Sequence, residues 1–570
     1  NGTELAISES QERMAVIVSK EDTEKFLKFV DEENLLGTVV GYVTDKNRLT
    51  LNWKGKAIVD ISRDFLNTNG VQQNIDIEVR DYENENVFEK FKTSDSSLEK
   101  KWLHNIKKLN VASQKGLVEM FDSSVGAGTI LAPFGGKYQM SPTDVSIMKF
   151  PVLDKNTDTA SAITWGFNPY ISEWSTYHGA IYAVVESLAK LVAAGVDYKT
   201  ARLSFQEYFE KLGKDAYKWS KPFLALLGAM KAQKDFDVAA IGGKDSMSGT
   251  FNDISVPPTL ISFAVSPVNV HDVISTEFKK AKNKLYLVEN KIDEKDFLFN
   301  SEELKENFEF VLKNIKDKKI VSAMVIKMGG LAEALSKMSF GNRLGFEINN
   351  KDVDLFSLKP ASILIETTEE LSYKNAIYLG EVSDKFEGKV NGENINLENV
   401  ESVWLNKLKP IFPYKLEEEI ETYDIKNKIS EKKIYKSSIT IAKPRVVIAA
   451  FPGTNSEYDM YNRFNENGAE AKITLLRNLT QNHLAESVDQ MCKDLRNSQI
   501  FVLPGGFSAG DEPDGSGKFM AAVLQNPKLM DEIKAFLGRD GLILGVCNGF
   551  QALVKSGLLP YGEIGNVHEN

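Results

Sequence analysis

The stretch Gly545-Val546-Cys547-Asn548-Gly549-Phe550 constrains this chain more than any other. It follows the apolar run Leu542-Ile543-Leu544, which reads as a buried strand, and precedes Gln551-Ala552-Leu553-Val554, which reads as the start of a helix. A Gly-x-Cys-x-Gly turn between strand and helix allows a tight, strained bend and lifts the thiol clear of the sheet. That is a nucleophile elbow with sulfur in place of a serine oxygen. The thiolate is the attacking species, and a helix N-terminus behind Cys547 is expected to favour it. A second piece lies upstream, where Leu503-Pro504-Gly505-Gly506-Phe507-Ser508 ends another apolar strand, Ile500 to Leu503. Its glycines can turn backbone N–H groups toward an oxyanion. The other cysteine, Cys492, lies in a helical apolar stripe with Leu484, Val488, Met491 and Leu495, and is expected in the core.

Together the two glycine turns resemble those of the class I glutamine amidotransferases, whose cysteine attacks the side-chain amide of glutamine and releases ammonia. The resemblance makes Cys547 the nucleophile, with the N–H of Asn548 and one from Gly505-Gly506 as oxyanion donors. Such a cysteine needs a histidine base oriented by a carboxylate. The family places both well downstream of the elbow, so the triad His and Glu are expected beyond residue 570. His568 lies in a polar, turn-like end and is not supported as the base.

At 570 residues the chain has room for roughly four domains. Its composition, 42% hydrophobic and 26% charged, is that of a protein with a full core. A net charge of −11 argues against nucleic acid or an anionic membrane as partner. No apolar run approaches the roughly 20 residues of a membrane span, and no signal peptide is visible. Two cysteines, one of them the nucleophile, suit a reducing cytoplasm.

In chain order, Leu5 to Val18 reads as a strand end, a polar turn and a second strand. A helix over Thr23–Glu33 follows, then strands Val39–Val43, Leu49–Trp53 and Ala57–Ile61. Residues 81–101 turn charged and lose their apolar period. Phe121 to Lys137 holds Gly126, Gly128, Gly135 and Gly136 with small hydroxyls and one lysine, either an ordinary turn or a phosphate cradle of backbone N–H groups. His178 to Ala194 reads as one long helix that puts Glu186 and Lys190 on one face, a spacing more typical of a solvated ion pair than of a site. Ala239 to Gly249 reads as a buried strand ending in Gly242-Gly243 and delivering Lys244, Asp245 and Ser246 at its end. It lacks the spacing of a Walker loop. Val321–Lys327, Gly329-Gly330 and Leu331–Met338 form a strand, turn and helix. Glu417–Lys436 is a charged linker. A doubly wound sheet with strands at Val446–Phe451 and near Ile473, Ile500 and Leu542 carries Cys547 at a strand's carboxyl end.

Gly243-Lys244-Asp245-Ser246-Met247-Ser248, Ser10-Gln11-Glu12-Arg13 and Asp122-x-Ser124-Val125, with the C-terminal glutaminase, resemble the large single-chain phosphoribosylformylglycinamidine synthases (formylglycinamide ribonucleotide amidotransferases). The resemblance implies α/β and α+β domains: an aminoimidazole-ribonucleotide-synthetase-like half, then an incomplete class I glutaminase with a doubly wound sheet. It divides the chain into the end of a first synthetase half (1–80), a linker (81–110), the two α/β domains of a second half (111–269 and 270–408), a linker (409–443) and the glutaminase (444–570). The chain opens Asn1-Gly2-Thr3 without methionine and is expected to be the C-terminal portion of such an enzyme, cut at both ends. The implied reaction is amidation of formylglycinamide ribonucleotide with ATP and glutamine in purine biosynthesis, ammonia passing between domains by a closed path. Gly126, Gly128, Gly135, Gly136, Thr143 and Lys244 would hold phosphate, Asp245 metal or substrate, and Ser246 a hydrogen bond. The partners implied are glutamine, formylglycinamide ribonucleotide, ATP and the absent N-terminal part of the enzyme. Rival readings are a glutaminase serving another synthetase and a non-catalytic fragment.

The family also implies a buried nucleotide in the second half, with Mg2+ held by Asp144, Glu186, an Asn and a second Asp. Lys190 stands in place of that Asn, Val325 in place of the Asp, and Lys327 in place of a serine expected at the nucleotide. Loss of two oxygen ligands is expected to remove the magnesium. Lys190 is then expected to pair with Glu186 and Asp144, leaving either a lysine-bound nucleotide or a pocket collapsed around Val325.

Overall fold

The computed structural model describes residues 2–6, 13–68, 74–80, 87–88, 97–124, 127–152, 155–415, 441–508 and 517–565. Gly126, His568, the Ser10–Glu12 motif and the charged linker at 417–436 lie outside the described residues. The chain divides into two compact units, one of residues 1–73 with 424–570 and the other of residues 74–423.

The larger unit holds two sheets. The first has five strands in the order Ser146–Lys149, Thr159–Gly166, Thr259–Asn269, Arg202–Tyr208, Ala239–Ser246. All its pairs are antiparallel except the last, where Arg202–Tyr208 runs parallel to Ala239–Ser246. Strand residues alternate between faces, and the helices Thr176–Ala193 and Ala216–Phe236 supply the core packed against Ala162, Leu203, Phe205 and Ala264. The Thr176–Ala193 helix is apolar nearly all round and almost wholly buried, as expected of a helix covered on every side. The opposite face of the sheet leaves Ile163, Trp165, Val265 and Tyr208 exposed. Ala239–Ser246 is an edge strand rather than the expected buried one. It runs on through Lys244, Asp245 and Ser246, and Ile241 is 78% exposed.

The second sheet has seven strands, in the order Ile320–Val325, Ile363–Thr367, Lys284–Val288, Ala376–Ser383, Gly345–Ile348, Gly388–Val390, Glu393–Ile395. Gly330–Phe340, entirely buried, packs with Leu98–Ile106 and Leu397–Asn406 in one core. Trp102 and Trp404 lie within it, each indole N–H donating to a neighbour, Ser336 Oγ and Val111 O. The expected strand, Gly-Gly turn and helix at 320–340 are therefore present.

The smaller unit carries a four-stranded parallel sheet in the order Glu470–Leu475, Arg445–Ala450, Ile500–Leu503, Leu542–Gly545. Leu542–Gly545 is its edge, so Leu542 and Leu544 are exposed where the apolar run alone reads as buried. Cys492, on the Gln481–Arg496 helix, is buried in the core, and burial pushes its thiol up. From the N-terminal residues come a helix, Thr23–Glu32, and a hairpin, Arg48–Trp53 with Lys56–Ser62. Asp31 of that helix bridges Arg477 at 2.9 Å and His483 at 3.2 Å. Two expectations fail here. Residues 2–6 are helical, and neither 15–18 nor 39–43 is a strand. Val39, Val40, Tyr42 and Val43 are exposed, and β propensity without a neighbouring strand does not form a ladder.

Candidate functional site

Cys547 follows the Leu542–Gly545 strand and caps the Asn548–Lys555 helix. Its backbone is at φ 51°, ψ −111°, a conformation disfavoured for a residue with a Cβ and typical of strained functional turns. Glycines make the bend possible: a Cβ on Gly549 would lie 2.0 Å from the carbonyl oxygen of Leu503, and one on Gly545 2.6 Å from the Leu553 side chain. The thiol is exposed.

The Gly505-Gly506 turn lies beside it. A Cβ on Gly505 would sit 3.3 Å from the Cβ of Cys547. The turn is held by the segment after the first strand of the sheet: Asn455 N–H donates to Gly505 O at 3.2 Å and Phe507 N–H to Gly453 O at 2.8 Å. Gly506, at φ 120°, approaches Gly453 and Thr454 so closely that a side chain has no room. Ser508 Oγ donates to Asn548 Oδ1 at 2.7 Å, tying the two turns together. The four expected residues, Cys547, Gly505, Gly506 and Asn548, thus converge.

In the larger unit, the strand carrying Lys244, Asp245 and Ser246 pairs in parallel with Gln206, Glu207 and Tyr208. Alternation puts Lys244 and Ser246 on one face and Asp245 on the other, so the three do not project together as a strand-end cluster would. Asp245 faces the same side as Glu207, a residue that sequence reading passed over. Glu207 is 95% removed from solvent, being 5% exposed, and its Oε1 has no hydrogen-bond partner. Burial, then the charge of Asp245, raises its carboxyl to about 7. Its position in the period-two pattern of Leu203 and Phe205 was the available signal.

The glycine-rich segment is used for packing. Gly135 begins a tight hairpin with Ser141, and Gly136 at φ 86° sits against the backbone of Gly341. Thr143 Oγ1 donates to Ala132 O at 2.8 Å. Gly128 O accepts from Lys149 N–H at 2.8 Å. Among the described residues, no hydrogen bond or ion pair joins this segment to Lys244, Asp245 or Ser246.

Asp144 and Glu186 do not fit a magnesium ion. Lys327 Nζ donates to both Asp144 oxygens, at 2.7 and 3.0 Å. Lys190 Nζ pairs with Glu186 at 2.7 Å, donates to Trp165 O at 2.8 Å and lies 4.1 Å from the Trp165 ring centre. A third pair, Lys337 with Glu333 at 2.5 Å, is buried at both ends. Burial pushes the Asp144 carboxyl up, but Lys327 and then Lys190 outweigh it and hold it below the ordinary range. Lys327 is desolvated, yet Asp144, Glu333 and Glu186 raise it. Two expectations change. The Glu186–Lys190 pair is buried at its lysine end rather than fully solvated, Lys190 being 2% exposed while Glu186 is half-buried, and Asp144 is taken by Lys327, not Lys190. Val325 joins the apolar core, and the pocket has not collapsed: a cavity of about 280 Å³ remains, lined by Trp165, Phe167, Asn168, Glu186, Lys327 and Met328 among others. Among the described residues no group of three or more His, Cys, Asp or Glu is arranged for a metal, and no helix is long and apolar enough to cross a membrane.

Residues 443–570 match the family model of the CobB/CobQ-like glutamine amidotransferase domain, and residues 1–54 that of the C-terminal domain of AIR synthase related proteins. The homologues of the chain include phosphoribosylformylglycinamidine synthase subunits. That of Thermococcus sibiricus is 26% identical over 369 residues, covering 62% of this chain and 48% of the relative. That of Picrophilus torridus is 25% identical over 424 residues, covering 69% and 54%. The chain therefore spans about half the length of these curated relatives. Among solved structures, Thermotoga maritima phosphoribosylformylglycinamidine synthase II aligns at 18% identity and a TM-score of 0.48, covering 67% of this chain and 56% of that one. The α/β and α+β expectation, a synthetase-like part followed by a glutaminase sheet, agrees with the family matches and the observed sheets.

Proposed function

We propose that this chain carries part of a phosphoribosylformylglycinamidine synthase, the glutamine- and ATP-dependent enzyme that amidates formylglycinamide ribonucleotide in purine biosynthesis. The observation that carries the reading is the Cys547 elbow packed against the Gly505-Gly506 turn, within a segment matching a glutamine amidotransferase model in a chain whose relatives bear that synthase name.

Cys547 adds to the side-chain amide of glutamine, while the N–H of Asn548 and the Gly505-Gly506 turn face the developing oxyanion. Ammonia leaves and is consumed in the synthetase part, along a path closed to water. There ATP phosphorylates the formyl-amide oxygen, because an amide is a poor electrophile and phosphate a good leaving group. Lys244 and Ser246, on the open face of their strand, are our candidates for phosphate oxygens. The exposed side chains Ile163, Trp165 and Val265 support a further synthetase segment as partner for that sheet face. We place the enzyme in the cytoplasm, where its two free cysteines stay reduced.

The test extends the chain at both ends with the corresponding sequence of a relative, so that the His and Glu expected beyond residue 570 are supplied, and compares ammonia-driven with glutamine-driven synthesis. Product is expected from either nitrogen source, and Cys547→Ala should abolish only the glutamine-driven reaction. Glutamine-driven product from Cys547→Ala would overturn the reading.

A further inference from the structure

Ser456 stands where a serine ordinarily caps a helix, immediately before Glu457–Glu466, yet its side chain makes no bond to the free N–H groups of that helix. Its Oγ instead accepts the N–H of Gly505 at 3.0 Å. That N–H belongs to the turn expected to face the oxyanion, so the donor is already engaged. The point where a Gly505 Cβ would lie is 3.3 Å from the Cβ of Cys547 and 3.5 Å from Ser456 Oγ. The Ser456 hydroxyl and the nucleophile thus border the one small space that Gly505 leaves open. The preceding residue, Asn455, is fixed to the same turn through Gly505 O, which holds Ser456 in place.

A hydroxyl that accepts one hydrogen bond still has a proton to donate, and accepting strengthens that donation because linked hydrogen bonds polarise one another. Among the described residues the Ser456 hydroxyl donates to none. We infer that Ser456 is an oxyanion donor of the Cys547 site, relaying the Gly505 N–H to the substrate oxygen through its own O–H. This rests on the glutaminase reading. As the Cys547 sulfur bonds to the amide carbon, the carbonyl π pair moves onto oxygen and takes hydrogen bonds from Ser456 O–H and Asn548 N–H. On collapse the C–N bond breaks, the thiol proton ends on the departing ammonia, and a thioester remains.

Two probes of Cys547 separate this role from mere support. p-Nitrophenyl acetate acylates a thiol through a tetrahedral oxyanion and releases nitrophenolate, whereas iodoacetamide alkylates by displacement at saturated carbon and forms none. Labelling of the Cys547 peptide is followed by mass spectrometry in the parent, Ser456→Ala and Ser456→Thr. Ser456→Ala should slow acylation about tenfold, less than the roughly 10²–10³ for a whole lost donor because Gly505 N–H is released. Alkylation should be unchanged, and Ser456→Thr should restore acylation. Unchanged acylation in Ser456→Ala, or an equal fall with both probes, overturns the assignment of Ser456. In a chain extended with a relative's sequence beyond residue 570, so that the expected His and Glu are present, a parent Cys547 acylated no faster than glutathione would instead remove the glutaminase reading itself.

Discussion

Lys327 Nζ lies 2.7 and 3.0 Å from the two carboxylate oxygens of Asp144, so an ammonium of the same chain occupies the side of Asp144 on which a divalent ion would have to bind. Asp144 precedes the Ser146–Lys149 strand of the five-stranded sheet, and Lys327 follows the Ile320–Val325 strand of the seven-stranded one. The pair therefore links the two sheets of the larger unit directly, between residues 183 positions apart in sequence.

The first prediction concerns that pair. Purified protein should contain no stoichiometric magnesium, and a chelator should leave its thermal midpoint unchanged. Lys327→Met should cost up to about 3–5 kcal/mol, the range for stranding a fully buried charge, because it strands a largely buried carboxylate, and Asp144→Asn in the same chain should recover much of it. The Asp144 carboxyl is held below the ordinary range, so the pair's contribution is complete above that range. It is lost only as pH falls through the lowered value. Elemental analysis of the parent, and denaturation of the parent and the two variants, decide; magnesium at one per chain would refute the claim.

Glu207 gives the opposite pH dependence. Its carboxyl is raised to about 7, so folding favours the protonated form. That stability is present below the ordinary carboxyl range and is lost as pH rises through about 7. Glu207→Gln should therefore match the parent near pH 4 and exceed it at pH 8 by a few kcal/mol, at about 1.4 kcal/mol per pKa unit. Unfolding in denaturant at the two pH values measures this, and an equal effect at both would show that Glu207 does not titrate there.

The two cysteines should differ in native reactivity. Cys547 is exposed and Cys492 buried, so one equivalent of iodoacetamide should label Cys547 alone, with Cys492 reacting only after denaturation. Native labelling of Cys492 would contradict its place in the core.

Lys244 tests the proposed phosphate role of its strand. In the intact enzyme, Lys244→Ala should reduce ammonia-dependent turnover tenfold or more, as expected when a charge on a transferring phosphoryl group is lost. Cys547 alkylation should stay as in the parent. Unchanged turnover would remove Lys244 from phosphate binding.

Local pattern was enough to determine several parts of this protein. Glycines at 545 and 549 flanking a cysteine, between an apolar run and a helical start, admit few conformations, and the elbow follows from them. The strand, Gly-Gly turn and helix at 320–340 and the parallel strands around Cys547 follow from period and turn chemistry in the same way. Partner choice was not determined locally. Residues 39–43 have strand composition but no neighbour to pair with among the described residues, and Leu542 and Ile241 are exposed because their strands fall at sheet edges. Lys190 was legible as a partner for Glu186, one helical turn away. Asp144 and Lys327 are 183 residues apart, and no periodicity relates them. Ser456 and Gly505 likewise meet only because two parallel strands end side by side. Sequence spacing specifies which groups share a strand or a helix face, whereas ion pairs and hydrogen bonds act over a few ångströms, and only the tertiary fold decides which distant groups come that close.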